Sequence, residues 1–577
     1  MKKILILTMT LTLLSQPTIA ETKKVNIRIL ETSDVHGCFF PYNFTERTPM
    51  KGSLARISSY VNTLRKEYGD NLILLENGDI LQGQPICYYY NYIATEKENV
   101  AASLINYMGY DAQSVGNHDI ETGHACYDKW IGELNCPTLG ANIIDTGTGE
   151  PYVKPYIVIE REGVKIAILG MLTPAIPNWL NESLWKGLRF ENMKESCRKW
   201  VAYIKENENP DIMVGLFHSG WSGGITTDEY VENETEAIAQ EVDGFDIIFF
   251  GHDHTQRSVT ITNSSGGDVV CVDPSCNAIA VGDVSLELTI EGEKVVDKQI
   301  SGKLTDISDQ PIDEAFMEHF KEAVDEVKGY VGKRIGSFEE TIRTRDCFFG
   351  SAPFTDLIHN MQLQITGADI SFNAPLSFDT DVNKGDIFVS DMFKLYRFEN
   401  QIYVLRMTGK EVRKHLEMSY DLWVNTMTSP NDHIMLLDSR TRNNMEKYGF
   451  KNMTFNFDSA AGIDYEVDVT KPDGEKVRIL RMSNGDPFDE TKWYNVVMNS
   501  YRGNGGGELL IRGAGIAKEE IPARIIFQSE LDQRYYLTQE IEKMGVVSPK
   551  ANNNWKFVPD EWTAPALKRD RNLIFGD

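Results

Sequence analysis

Several strand-like apolar runs lead straight into Asp, Asn or His, and this pattern limits the fold more than any other feature of the chain. Val25 to Leu30 alternates apolar and polar residues and is followed by Asp34-Val35-His36. Asn71 to Leu75 runs into Glu76-Asn77-Gly78-Asp79, Asp211 to Phe217 ends at His218, and Asp246 to Phe250 ends at Gly251-His252-Asp253-His254. Lys165 to Met171 is a further run of the same character. Apolar stretches this continuous suit strands covered on both faces. Helical stretches at Leu54 to Tyr68 and Glu195 to Asn207 alternate with them, so the first part of the chain reads as α/β. In such sheets ligands gather at the carboxyl ends of strands, where these polar residues fall.

The chain has 577 residues, enough for two or three domains. Its net charge of −27 excludes the basic surface that a nucleic-acid polymer would require. An anionic small substrate remains compatible, because bound divalent cations reverse the local sign. Residues 1–20 read as a signal peptide: Lys2 and Lys3, an apolar run from Ile4 to Leu14, then Thr18-Ile19-Ala20. No Cys follows that run, so no lipid or membrane anchor is expected in the mature form. The expected location is periplasmic or secreted. The number of cysteines is even, and Cys271 and Cys276 could bridge a turn in an oxidising compartment.

Asp34 and His36, Gly78-Asp79, Gly116-Asn117-His118-Asp119, His218 and Gly251-His252-Asp253-His254 together offer a mixed oxygen and nitrogen donor set. Such a set suits Zn, Mn or Fe rather than Ca or Mg. It holds too many donors for one tetrahedral ion, and two ions sharing one carboxylate would use them all.

The order Asp-x-His, Gly-Asp, Gly-Asn-His-Asp, an isolated His and Gly-His-Asp-His resembles that of the calcineurin-like metallophosphoesterases. The second segment resembles the C-terminal domain of the 5′-nucleotidases. Within that superfamily the chain looks most like the bacterial 2′,3′-cyclic-nucleotide 2′-phosphodiesterase/3′-nucleotidases. Lys394 to Asn400, Thr454 to Asp458, Gly462 to Tyr465 and Asn499 to Arg502 carry this likeness. The resemblance implies an α/β metallophosphoesterase sandwich over 21–310 and an α+β 5′-nucleotidase C-terminal domain over 336–577 that recognises the nucleotide; between them Asp313 to about Val331 reads as one amphipathic helix (Phe316, Phe320, Val324, Val327), the linker helix of 311–335.

It also implies in-line attack by a metal-bridging hydroxide. Asp34, His36 and His254 would hold one ion, Asn117, His218 and His252 the other, and Asp79 would bridge them. His118 would face the phosphate, held by Glu121 where related enzymes usually carry Asp. The 5′-nucleotidases carry Gly-Gly-[Ile/Val]-Arg with a phosphate-binding Arg. The corresponding region here, Phe372 to Asp379, lacks it.

Substrate choice is expected in the second segment. The resemblance points to Phe455 and Tyr501 as the two sides of a base sandwich, with Phe457 in the core. Gly505, Gly506 and Gly507, directly after a strand, would let the backbone approach the base or ribose. The expected partner is thus a small nucleotide. The alternatives are a 5′-nucleotidase or UDP-sugar hydrolase, and a non-catalytic nucleotide-binding protein.

Overall fold

In the computed structural model, residues 22–442 and 445–576 are described; the expected signal peptide lies outside them. The apolar runs become strands in two six-stranded sheets. In the first, Thr22–Thr32, Leu72–Glu76, Ala112–Ser114 and Thr138–Leu139 run parallel. Ala280–Glu291 and Lys294–Asp306 complete it in antiparallel pairing. In the second, Val164–Leu172, Ile212–His218, Ile247–Phe250 and Asp268–Asp273 run parallel. Antiparallel Tyr156–Arg161 and Arg257–Thr262 form its edges.

Period-2 alternation sends successive side chains into different cores. Ile73 and Leu75 point between the sheets, where they meet Ile166, Val214 and Phe249. Leu72 and Leu74 point outward against the helices Leu54–Tyr68 and Val100–Met108. Met213 and Phe217 pack likewise against Met193–Asn207. The result is the expected α/β sandwich, with helices on both outer faces. The helix Leu54–Tyr68 shows why these segments coil. Ser53 accepts a hydrogen bond from Arg56 N–H as N-cap, Leu54, Ile57, Val61 and Leu64 form one buried stripe, and Gly69 at φ 56° ends the helix.

The expected single linker helix is two helices, Glu314–His319 and Lys321–Val331. Phe320 leaves helical geometry at φ −97°, ψ 13° and packs its ring against Phe40 and Tyr107. The apolar stripe Phe316, Phe320, Val324 and Val327 lies in the helix-side core of the first half, so packing rather than spacing sets the break.

The second half is α+β. A five-stranded sheet, ordered Ser459–Ala461, Ile370–Asn373, Trp493–Asn499, Gln401–Thr408 and Ile525–Asp532, carries the helices Pro353–Thr366 and Gly409–Trp423. The halves interlock at Tyr88. This first-half side chain is buried among Ile335, Phe354 and Leu537, and its hydroxyl donates to Asp532 at 2.7 Å. The Arg534 guanidinium lies over the Tyr88 and Phe393 rings and bonds Glu399 at 3.0 Å.

All eight cysteines are free. Cys271 faces the helix-side core of the second sheet. Cys276 follows the left-handed Ser275 and meets Asn277 Nδ2, so the bridge that the sequence allows does not form. Among the described residues no helix is long and apolar enough to cross a membrane.

Candidate active site

The loops that leave the central strands converge on one edge of the sandwich. Asp34 and His36 follow Thr22–Thr32, Asp79 follows Leu72–Glu76, and Asn117 opens a short helix after Ala112–Ser114. His218 closes its strand, and His252 and His254 follow Ile247–Phe250. Two groups form whose ligand atoms lie within 4.8 Å of one another: Asp34, His36 and His254, and Asp79, His218 and His252. Asn117 Oδ1 joins the second group, 3.2 Å from His218 Nε2. Asp79 Oδ2 lies between the groups, 3.3 Å from His218 Nε2 and 4.0 Å from His36 Nε2.

Five of these seven residues, Asp34, His36, Asp79, His252 and His254, have positive φ. Each such backbone costs of order 1–3 kcal/mol and persists only where its surroundings enforce it. The strands behind them supply that enforcement, since each fully buried aliphatic side chain contributes roughly 1.5–3 kcal/mol. The loops also come unusually close. A Cβ on Gly116 would collide with the Asp79 carboxylate, and one on Gly78 would collide with Gly116.

The residues fit cations. His36 Nε2 and His254 Nε2 face each other at 3.1 Å, an arrangement of two nitrogens that a shared positive ion relieves. Asp34 Oδ1 is buried and makes no hydrogen bond, although His254 Nε2 is 3.3 Å away. Burial takes the His36 imidazole down to about 4 despite the pull of Asp79, which leaves it neutral and able to donate a lone pair.

His118 belongs to neither group. Its Nδ1 lies 2.5 Å from Glu121 Oε2, one helical turn on, and its ring meets His36 edge-on at 5.6 Å. Burial disfavours its charged form, but Asp79 and Glu121 overcome this and hold the imidazole up to about 9. Glu121 also lines a cavity of about 340 Å³ between the halves, together with Tyr88, Trp179, Asn181, Glu399 and Tyr535.

In the second half, Phe455 sits on the short turn Thr454–Asn456 and meets Tyr501 edge to face, with ring centroids 6.0 Å apart and planes at 88°. The two rings are thus perpendicular, not the parallel pair that the expected base sandwich requires. Phe457 is buried and stacked on Trp423 at 5.3 Å. Gly505 and Gly507 adopt positive φ, and Gly506 packs against the Tyr501 ring. Arg502 is almost fully buried and ties these parts together. It pairs with Asp458, donates to the Phe455 carbonyl at 2.8 Å, and also bonds the Gly506 carbonyl and Asn456 Oδ1. Tyr501 lies near enough to the first-half Glu232 to feel its charge.

Sequence reasoning passed over two acidic groups here. Asp119 was visible in Gly-Asn-His-Asp, but nothing in the sequence marked it as the acceptor for the backbone N–H groups of Asp79, Ile80, Leu81 and Gly116. Glu232 stands in an acidic stretch without a motif, yet lies 2.9 Å from His252 Nε2.

Residues 27–256 match the calcineurin-like phosphoesterase family, and residues 334–511 match the 5′-nucleotidase C-terminal domain family. Over 93% of its length the chain is 26% identical to the 2′,3′-cyclic-nucleotide 2′-phosphodiesterase/3′-nucleotidase of Salmonella typhimurium, covering 89% of that protein. It is 25% identical, again over 93% of its length, to the trifunctional nucleotide phosphoesterase protein YfkN of Bacillus subtilis, of which it spans only 39%. The crystal structure of a 5′-nucleotidase precursor from Thermus thermophilus shares the fold, with a TM-score of 0.64 at 19% identity, covering 92% of this chain and 99% of that one.

Proposed function

Because this chain joins a calcineurin-like phosphoesterase domain to a 5′-nucleotidase C-terminal domain, we propose that it is an exported hydrolase of 2′,3′-cyclic nucleotides and 3′-nucleotides. The observation that carries the reading is the position of Asp79 Oδ2 between two groups of ligand side chains. In this reading Asp34, His36 and His254 hold one divalent cation, Asn117, His218 and His252 hold the other, and Asp79 serves both. The mixed donors favour Zn, Mn or Fe. Bound there, two such ions neutralise phosphate charge and make water acidic enough to attack at neutral pH.

The chain's own residues do the rest. His118 faces the ester and hands a proton to the departing sugar oxygen, which leaves badly as an alkoxide. Glu121 keeps the imidazole turned toward that oxygen. Phe455 and Tyr501 take the base, and Gly505, Gly506 and Gly507 let the backbone close on it or on the ribose. Likeness to the Salmonella enzyme over nearly the whole chain supports the cyclic-nucleotide branch, as does the lack of an Arg between Phe372 and Asp379.

The test is phosphate release from 2′,3′-cyclic AMP, 3′-AMP and 5′-AMP, measured side by side with Zn, Mn and Fe supplied in turn. For the cyclic substrate, opening to 3′-AMP is followed as well. The first two substrates should be preferred, and chelator or Asp79→Ala should abolish turnover. Preference for 5′-AMP would overturn the branch in favour of a 5′-nucleotidase. Binding without turnover of any of the three would overturn the enzyme.

A further inference from the structure

Glu232 is delivered to the second ligand group by a dedicated piece of structure. It lies on Val231–Asn233, which pairs with Gly223–Thr226 in a small, largely exposed hairpin. Its backbone carbonyl accepts hydroxyl protons from Thr173 at 2.9 Å and Ser219 at 3.0 Å. Those two residues directly follow the central strands Val164–Leu172 and Ile212–His218. Its Oε2 accepts the Ile225 N–H at 2.7 Å, and a Cβ on Gly224 would collide with the carboxylate. The next residue is anchored too, because Asn233 Oδ1 accepts the Gly220 N–H at 2.8 Å. With the carbonyl and one carboxylate oxygen held, Oε1 is left 2.9 Å from His252 Nε2.

An imidazole that binds a metal through one nitrogen donates the other N–H to an acceptor, which fixes both tautomer and ring orientation. The Nε2 of His252 is committed to Glu232, and among the described residues Nδ1 makes no hydrogen bond. The Trp179 ring packs against the imidazole at 5.6 Å and limits its rotation. Building on the two-cation reading above, we propose that Glu232 is a positioning residue: it holds His252 Nε2–H so that Nδ1 serves the second cation, and the hairpin Gly223–Asn233 exists to place it.

Calorimetric titration of the metal-free full chain with Mn²⁺ tests this without reference to turnover. The unaltered chain should take up two ions. Glu232→Ala should leave one step unchanged and weaken the other by about 10–100-fold. Glu232→Gln keeps one oxygen to accept from His252 Nε2–H, with its amide NH₂ left facing the Ile225 N–H, and should recover part of that loss. The glutamine variant also keeps the test valid if the alanine variant folds poorly. Unchanged binding in both variants would overturn the proposal. So would equal, severe loss in both, since it would make Glu232 a direct ligand. Uptake of fewer than two ions by the unaltered chain would instead overturn the two-cation reading, and this assignment with it.

Discussion

His118 Nδ1 and Glu121 Oε2 are 2.5 Å apart on the five-residue helix Asn117–Glu121, so one turn of backbone carries both the imidazole proposed above as proton donor and the carboxylate proposed to aim it. Removing such a donor lowers turnover by about 10²–10⁴-fold, and His118→Ala is expected to fall in that range on a nucleotide. The loss should shrink on a p-nitrophenyl ester, whose leaving group needs no proton. Glu121→Gln should cost less than His118→Ala. Because the Glu121 charge helps to keep His118 protonated, its removal should also shift the alkaline limb of the kcat profile to lower pH. Steady-state rates on the two substrate types, measured across pH, check all three expectations.

The second half should govern affinity rather than chemistry. Stacking on an aromatic side chain is worth about 1–3 kcal/mol per base. Tyr501→Ala should therefore raise KM for nucleotides by roughly 5- to 150-fold, with a smaller rise for Phe455→Ala. Arg502→Lys should act in the same direction, because a lysine cannot reach Asp458, the Phe455 carbonyl and the Gly506 carbonyl together. None of the three should alter kcat on p-nitrophenyl phosphate, and paired assays on the two substrates decide this.

Asp119 should matter for assembly. Four backbone N–H groups from two ligand-bearing loops converge on its carboxylate, at 2.8 to 3.0 Å. Asp119→Asn points an NH₂ at some of those donors and leaves them buried without a partner, at about 1–3 kcal/mol each. Urea unfolding should report a lower midpoint, and metal titration a lower affinity. The isosteric shape ensures that the change reads out hydrogen bonding rather than packing.

The fold should weaken in mild acid for a reason far from the ligand groups. His359 is fully buried between Ser371 Oγ at 2.8 Å and Ser459 Oγ at 3.1 Å, and burial pushes its imidazole down to about 3. The unfolded chain binds a proton there below its ordinary value of about 6.5, and the folded chain does not until about 3. The unfolded state thus binds more protons in that window, and stability falls as pH is lowered, by up to about 1.4 kcal/mol per unit. His359→Gln should flatten this slope in unfolding experiments between about pH 6.5 and about pH 4.

What was legible in the sequence was what depends on local pattern. Strands such as Ile212–His218 stood out because both faces are buried and the run is unbroken, and the ligand residues stood out because they follow such runs. Phe320 was not legible as a helix break, since the cause is a ring packed on Phe40 and Tyr107, far away in the chain. The relative orientation of Phe455 and Tyr501 was hidden for the same reason: the two are distant in the chain, and Arg502 and Asp458 set how their loops meet. Glu232 left no trace, because one carboxylate among the many in an acidic chain acquires a role only when a hairpin brings it to an imidazole.

The Tyr88 seam has a consequence for anyone dissecting the gene. Cut near the paired helices, the C-terminal portion would keep an oily socket without its plug, and a guanidinium whose aromatic cover is half gone. The N-terminal portion would carry an unsheathed phenol on its flank. Fragments made this way should be sticky and hard to purify, and their behaviour would say little about the two lobes as they work in the intact molecule.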